Sequence, residues 1–251
     1  MTTVAVLVDP PRPGLVLKSL PDSTPLSTGE AAELYSAMCR DVCRAVEASG
    51  GELLVNYRAD EDLPEEFTDG ESAEAEVRAM LRPALESPDD ARFEVQVGSS
   101  FAGRVGNTVT HLLDEEGVTT AAAVEPTAAL LSRQTIDNAA MKLRRHEVVL
   151  GPAPGGRVYY AGFGEPVDFA DAYAPPAIET LTERALAADC SVDFLEMQPV
   201  VETQADLVTA LTQLRARERA GRLRPEHVSA YLDEIGLTVT DGPDGLALDR
   251  E

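Results

Sequence analysis

Short runs of apolar residues alternate along this chain with longer segments in which apolar residues recur at helical spacing. Residues 4–8 form a continuous apolar run that stops at prolines, which is typical of a buried parallel strand. Residues 27–48 follow with helical periodicity, with Ser27 or Thr28 as the predicted N-cap and Gly50-Gly51 as the terminator. Such alternation predicts βαβ units and a mainly parallel sheet.

The same pattern continues to residue 220. Residues 60–70 are acidic and predict a loop. Further strands are predicted at residues 53–55, 93–97, 118–124, 147–150, 158–161 and 192–197. Further helices are predicted at residues 72–86, 101–116, 128–145, 176–188 and 203–220. The fold class is therefore predicted to be α/β.

The C-terminal residues depart from this alternation. Residues 224–235 predict one more helix, with Pro225 in its first turn. Residues 237–239 and 246–248 predict a small hairpin around the Gly-rich loop 241–245. We place the boundary at Gly221, which gives a main domain of residues 1–220 and a C-terminal appendage of residues 221–251.

Composition points to an acidic protein adapted to high salt. The chain has 251 residues and a net charge of −23, and its lysines are Lys18 and Lys142. Scarce lysine beside abundant Asp and Glu is a haloarchaeal-type, halophilic composition, in which molar salt screens self-repulsion. The acids are spread along the whole chain, which argues against a dedicated surface for basic partners. The same charge disfavours nucleic-acid binding.

Several classes of protein are disfavoured by the remaining composition. Cys39, Cys43 and Cys190 cannot form a disulfide framework, and the first two are expected to be buried on one helix face. The histidines His111, His146 and His227 have no recognisable Ser or Cys nucleophile around them, so a catalytic triad is unsupported. No apolar segment approaches the length of a membrane span and no N-terminal signal is seen, so we expect a soluble, cytoplasmic protein.

A basic cluster lies near the predicted domain boundary. It consists of Arg215, Arg217, Arg219, Arg222 and Arg224. Two interpretations stay open: the arginines bind an anion or an acidic partner, or they balance neighbouring acids as solvated side chains.

Two segments carry candidate nucleotide chemistry. Residues 11–20, Pro-Arg-Pro-Gly-Leu-Val-Leu-Lys-Ser-Leu, follow the first strand directly. A glycine-containing loop at that place lets backbone approach a phosphate, which Arg12 and Lys18 would neutralise. The alternative is a proline-rich connector with two solvated charges. Residues 96–104, Gln-Val-Gly-Ser-Ser-Phe-Ala-Gly-Arg, offer Gln96 and Arg104, although a capped strand-to-helix turn is the alternative there.

Two further segments follow in the second half of the chain. Residues 148–162 read Val-Val-Leu-Gly-Pro-Ala-Pro-Gly-Gly-Arg-Val-Tyr-Tyr-Ala-Gly. Their glycines permit either a close approach to a ligand or a tight turn between strands. Residues 201–207 read Val-Glu-Thr-Gln-Ala-Asp-Leu, in which Thr203 and Asp206 can cap the following helix.

In this order and spacing, the four segments resemble the glycosyltransferase-like proteins of the nucleotide-diphospho-sugar transferase superfamily. The resemblance covers roughly residues 3–214 and implies a GT-A-like three-layer αβα sandwich with a mainly parallel sheet, plus the C-terminal helix-hairpin appendage. It implies a nucleotide-binding loop that contains Pro13, Gly14, Arg12 and Lys18, with Gln96 and Arg104 nearby. It also places the Gly-rich turn, with its glycines and one tyrosine, on the acceptor side: Gly155, Gly156 and Tyr159.

Two glutamates lie where the superfamily has metal-binding aspartates. Glu125 follows the run Ala-Ala-Ala-Val, and Glu202 follows Val-Val. Ligands of open α/β sheets bind at the carboxyl ends of the strands, so both carboxylates are candidate ligands for Mg²⁺ or Mn²⁺. The alternative is that both are ordinary surface acids in a chain that holds 44 Asp and Glu residues.

The predicted function is a glycosyltransferase- or nucleotidyltransferase-like protein that binds a nucleotide or sugar nucleotide with a divalent metal. Departures from the superfamily pattern keep a second function open. Leu17 and Ser19 replace the phosphate-facing Lys and Arg, and the Glu-Asp pair expected after Ala153 is missing. The second possibility is a catalytically degenerate protein that binds a ligand or another protein. The sequence does not identify the donor base, sugar, acceptor or oligomeric state.

Overall fold

The computed structural model describes residues 1–68, 70–242 and 245–250. In these residues, seven strands form one central sheet. They are β1 (Thr2–Val8), β2 (Glu52–Tyr57), β3 (Arg92–Val95), β4 (Thr120–Val124), β5 (Val148–Ala153), β6 (Arg157–Phe163) and β7 (Val192–Phe194). The spatial order is β3-β2-β1-β4-β6-β5-β7, and every pairing is parallel except those made by β6. The predicted α/β class with a mainly parallel sheet is confirmed.

Strand β1 lies inside the sheet and pairs with β2 on one side and β4 on the other. Val6 lies opposite Val55 of β2 and opposite Val124 of β4. All seven residues of β1 are buried. Burial on both faces explains why the first strand is a continuous apolar run and does not alternate with polar residues.

Helices cover both faces of this sheet and give three layers. One face packs against α2 (Thr28–Glu47), α3 (Ala73–Leu81), α5 (Arg133–Lys142) and α7 (Gln204–Arg219). The opposite face packs against α4 (Phe101–Thr110) and α6 (Ala177–Ala187). A short helix, α1 (Leu20–Ser23), follows the loop after β1 and was not predicted, because four residues are too few to show a period.

Local capping residues fix where the long helices begin. The Ser27 hydroxyl accepts from the backbone of Glu30, and the Glu30 carboxylate accepts from the backbone of Ser27. This capping box confirms Ser27 as the N-cap of α2. Predicted helix 128–145 starts later than expected, at Arg133, because residues 125–132 form the turn that leaves β4.

The C-terminal residues form a helix and a hairpin, as predicted. These are α8 (Glu226–Glu234) and the antiparallel strands β8 (Leu237–Gly242) and β9 (Gly245–Arg250). Residues 243–244 of the predicted hairpin loop lie outside the described residues. The buried Asp41 carboxylate on α2 accepts from the backbone of His227 and Val228, at 3.0 and 2.8 Å. The segment therefore packs on α2, and its division from residues 1–220 as a separate unit stays a prediction.

Among the described residues, none of the helices combines the length and the apolar character that crossing a bilayer requires. Cys39 and Cys43 are fully buried on α2, as expected from their spacing.

Replacement of Asp41 by Ala is expected to loosen the C-terminal helix. The change removes the acceptor for two backbone N–H groups in the first turn of α8, and loss of such a cap costs about 1–2 kcal/mol. Urea unfolding in molar KCl measures the loss. Glu33→Ala, an exposed change on the same helix, is the control and should leave the midpoint unchanged. Equal stability of the two variants would contradict this role of Asp41.

Candidate functional site

A cavity of about 370 Å³ lies at the edge of the sheet where β1 and β4 end. Parallel pairing of these strands directs their carboxyl ends to the same edge. The cavity brings together five of the site residues that the sequence predicted: Lys18, Gln96, Arg104, Glu125 and Glu202. It also contains one acid that sequence reasoning missed, Asp9.

Glu125 lies in the first turn position after β4 and is partly buried. In the described part of the chain, no ion pair reaches its carboxylate. Burial, followed by the negative charges of Glu202 and Asp9, raises the pKa of Glu125 from 4.5 to about 8. When ionised, the Glu125 carboxylate therefore has no ion-pair partner among the described residues, and a bound cation would supply the counter-charge.

Glu202 is positioned by the start of α7. Thr203 is the N-cap of this helix and forms a capping box with Asp206, which confirms the predicted cap. Arg157 reaches across from β6 and donates to Asp206 at 2.7 and 2.9 Å and to Glu202 at 3.0 Å. Glu202 thus faces the cavity with one internal cation already beside it.

Asp9 is the third carboxylate of the cavity and follows β1 directly. Its backbone N–H donates to the Tyr35 hydroxyl at 2.9 Å, which fixes the chain at the strand end. Arg58 lies 3.7 Å from its carboxylate. Burial raises the pKa of Asp9, and the charges of Arg58, Arg104 and Lys18 oppose that rise. The sequence signal for Asp9 is its position directly after the apolar run of β1, at the same edge of the sheet as Glu125.

Arg104 and Lys18 are the cations that face the cavity. The Nε atom of Arg104 is buried and has no hydrogen-bond partner among the described residues. Burial lowers the pKa of Arg104, although Asp9 and Glu125 attract the charged form. Lys18 is exposed, on the loop after β1, with its amine 5.9 Å from the Phe67 ring. These two side chains could meet an anionic ligand.

Gln96 forms part of the cavity floor. Its side-chain amide donates to the carbonyls of Val8 and Asn56, at 3.2 and 2.7 Å. These two hydrogen bonds connect the ends of β1 and β2 through Gln96. The amide oxygen of Gln96 can still accept a hydrogen bond from a ligand.

The phosphate contact expected for Arg12 needs correction. Arg12 is buried and does not line the cavity. Its guanidinium binds Glu76, Asp60 and two backbone carbonyls, so all three nitrogens are occupied. Arg12 holds the segment of residues 60–76 against the loop, which is a structural role.

Pro13 and Gly14 lie in the same loop but also outside the cavity lining. Gly14 has a φ of +82°, which a residue with a side chain rarely adopts, and it faces the Phe67 ring. The turn at Gly14 directs residues 15–19 over the cavity, so the loop contributes through its second half.

The structure does not bring the predicted acceptor-side residues to this cavity. Gly155 and Gly156 both have a φ of +75° and form the turn between β5 and β6. A Cβ on Gly156 would lie 2.7 Å from Pro176, so close packing also requires glycine there. Tyr159 is buried, and its hydroxyl donates to the carbonyl of Glu196. The tight-turn alternative accounts for these glycines without a ligand.

A second acidic group could hold a cation on geometry alone. Glu94, His111 and Glu116 bring one ligand atom each within 4.8 Å of one another. However, Arg92 donates to both glutamates, and its guanidinium occupies the place of a cation. Asp9, Glu125 and Glu202 share one cavity, but among the described residues their carboxylate oxygens do not all lie within 4.8 Å of one another.

Comparisons with known proteins identify the fold of this chain but assign it to no family. No family model matches the chain, and no curated protein sequence matches it. A proposed nucleotide-diphospho-sugar transferase from Desulfovibrio desulfuricans is similar in structure, with a TM-score of 0.71 and 20% identity over 93% of this chain and 94% of its own. A CMP:2-keto-3-deoxy-manno-octonic acid synthetase in complex with CTP has a TM-score of 0.50 and 11% identity, over 86% of this chain and 99% of its own. The chain has the fold of the nucleotide-diphospho-sugar transferases.

Replacement of Glu125 by Gln is expected to stabilise the protein at alkaline pH. Because the pKa of Glu125 is higher in the folded state, the wild type loses stability as pH rises from 4.5 through about 8. The neutral amide removes that loss, and the gain should reach on the order of 2 kcal/mol at pH 9 after allowance for water in the open cavity.

Denaturant unfolding of both proteins at pH 5 and pH 9 measures this difference. The change Glu33→Gln on the exposed face of α2 is the matched control. A difference between wild type and Glu125→Gln that does not grow with pH would contradict the account of this carboxyl group.

Proposed function

We propose that this chain binds a nucleotide or sugar nucleotide together with a divalent cation, Mg²⁺ or Mn²⁺, and transfers a nucleotidyl or glycosyl group. The observation that supports this most is the composition of one cavity. Three carboxylates, Asp9, Glu125 and Glu202, share it with the cations Arg104 and Lys18. A metal–diphosphate complex presents both kinds of charge, and this cavity complements both.

Under this proposal, acidic residues would bind the cation and basic residues would bind the phosphates. Glu125 and Glu202 would hold the cation, with Asp9 as a further oxygen donor beside them. Lys18 and Arg104 would meet the phosphates, and Arg104 has a buried donor that is free to do so. A divalent metal bound here would neutralise charge on the leaving phosphate. Glu202 is held by Arg157, so its position is set before a ligand arrives.

Two cavity residues would contribute orientation without charge. The amide oxygen of Gln96 can accept a hydrogen bond from a base or a ribose hydroxyl. Phe101 lines the same cavity and offers an aromatic surface. The similarity to a CTP-bound synthetase makes CTP the first nucleotide to test.

A non-catalytic binding protein is the second candidate function. The observation that favours it is the internal pairing of charges that a catalytic site would need free. Arg12 forms ion pairs with Glu76 and Asp60, and Glu202 forms one with Arg157. In that case the C-terminal α8 and its hairpin are the proposed contact surface for a partner.

Calorimetric titration with CTP, GTP and UDP-glucose separates the two functions. The transferase proposal expects binding that requires Mg²⁺ or Mn²⁺ and that weakens at least about tenfold in Glu125→Gln. Molar KCl is the proper medium, because the charge of −23 destabilises the chain in dilute buffer. Glu33→Gln serves as the control. Nucleotide binding of equal strength with and without Mg²⁺ or Mn²⁺ would contradict the proposal. So would the absence of heat of binding with all three nucleotides.

Arg157 is expected to compete with the metal for Glu202. Because its guanidinium lies 3.0 Å from that carboxylate, Arg157→Gln should leave Glu202 without a counter-charge and strengthen Mn²⁺ binding about tenfold. Electron paramagnetic resonance of free Mn²⁺ measures this affinity without nucleotide. Arg133→Gln, which removes an exposed pair with Asp137, is the control. Weaker Mn²⁺ binding in Arg157→Gln would show that Arg157 supports the site and does not compete with the cation.

A further inference from the structure

A second cavity, of about 300 Å³, lies beyond the segment that leaves β4 and shares no lining residue with the first. Its walls come from the first turns of α5, the segment after β7 and the last turn of α7. Ligand pockets in proteins start at roughly 300 Å³, so this volume suits a ligand about as large as a monosaccharide.

Uncharged polar groups dominate the wall formed by α5. Gln134 and Asn138 lie one helical turn apart and both face the cavity. Neither amide side chain hydrogen-bonds another described residue. Each therefore offers a donor and an acceptor together, which is what a pair of neighbouring hydroxyl groups requires.

The other polar groups of the wall are held in place by one another. The hydroxyls of Ser132 and Thr135 are 3.0 Å apart, and the Gln198 amide donates to Thr135 at 3.1 Å. These hydrogen bonds connect α5 to the segment after β7. These three side chains are therefore ordered before a ligand binds, whereas Gln134 and Asn138 become ordered on binding.

The charges of the cavity balance. Its charged side chains are Arg217 from α7 and Glu196 from the segment after β7. Arg217 is partly buried and forms no ion pair or side-chain hydrogen bond with any residue in the described ranges. This pair favours a neutral ligand that accepts a hydrogen bond from Arg217 and donates one to Glu196.

The surface of the cavity is mostly polar. The apolar side chains beneath it, Leu130, Leu195 and Tyr159, are each at most 5% exposed. A sugar carries several hydroxyl groups on a small uncharged ring, and this cavity offers amides and hydroxyls on a mostly polar surface. We propose that it is a second binding site, for a neutral polyhydroxylated ligand of monosaccharide size.

Saturation-transfer NMR of the full chain in molar KCl tests this site, with D-glucose, D-mannose and myo-inositol as probes. We expect saturable millimolar binding of at least one probe. Gln134→Ala and Asn138→Ala should each weaken it by about fivefold, the effect of one lost hydrogen bond. Gln213→Ala, an amide change on α7 outside both cavities, is the control and should bind as wild type does. Alanine suits helices, so the three variants should fold.

Glu125→Gln should retain the probe, because the two cavities share no residue. This separates failure of the second site from failure of the proposed nucleotide site. Three results would overturn the proposal: no saturable signal from any probe, equal weakening in Gln213→Ala, or displacement of the bound probe by inorganic phosphate. The last result would mark an anion site centred on Arg217.

Discussion

The parallel pairing of β1 with β4 is the constraint on which the site depends. Their register, with Val6 opposite Val124, brings the strand ends to one edge and places Asp9 and Glu125 in the same cavity. Glu202 joins them from the start of α7. Like charges in a partly buried cavity repel one another, and burial costs each of them hydration. Counter-charges offset these costs, and neighbouring arginines or a bound cation can supply them.

The chain supplies part of that counter-charge itself. Arg58 lies beside Asp9, and Arg157 lies beside Glu202. Glu125 has neither, and burial, followed by the charges of Glu202 and Asp9, raises its pKa to about 8. The three carboxylates therefore differ in how much counter-charge the protein gives them. Under the proposed metal binding, Glu125 is the residue whose properties should change most, because it alone of the three lacks an ion pair with another described residue.

The fold was predictable where the signal is local. Continuous apolar runs marked the buried strands, and Ser27 and Thr203 marked the starts of helices. Strand order was not predictable, because it depends on pairings between distant segments. The antiparallel strand β6 between β4 and β5 is such a case. The short helix α1 has no periodic signal of its own and was missed.

The site was predictable only in part for the same reason. Glu125 and Glu202 could be placed at the ends of predicted elements, and the structure puts both at one cavity. Arg12 was misassigned because its partners, Asp60 and Glu76, lie 48 and 64 residues away and no local pattern connects them. The Gly-rich turn shows the same limit, since packing against Pro176 and contact with a ligand both require glycine.

Anomalous diffraction from crystals grown with CTP and MnCl₂ in molar KCl would locate a metal in the cavity. We expect a manganese peak between the carboxylates of Glu125 and Glu202, with the phosphates of the nucleotide toward Lys18 and Arg104. A nucleotide bound elsewhere, or a cavity with Arg157 still on Glu202 and no manganese, would contradict this expectation.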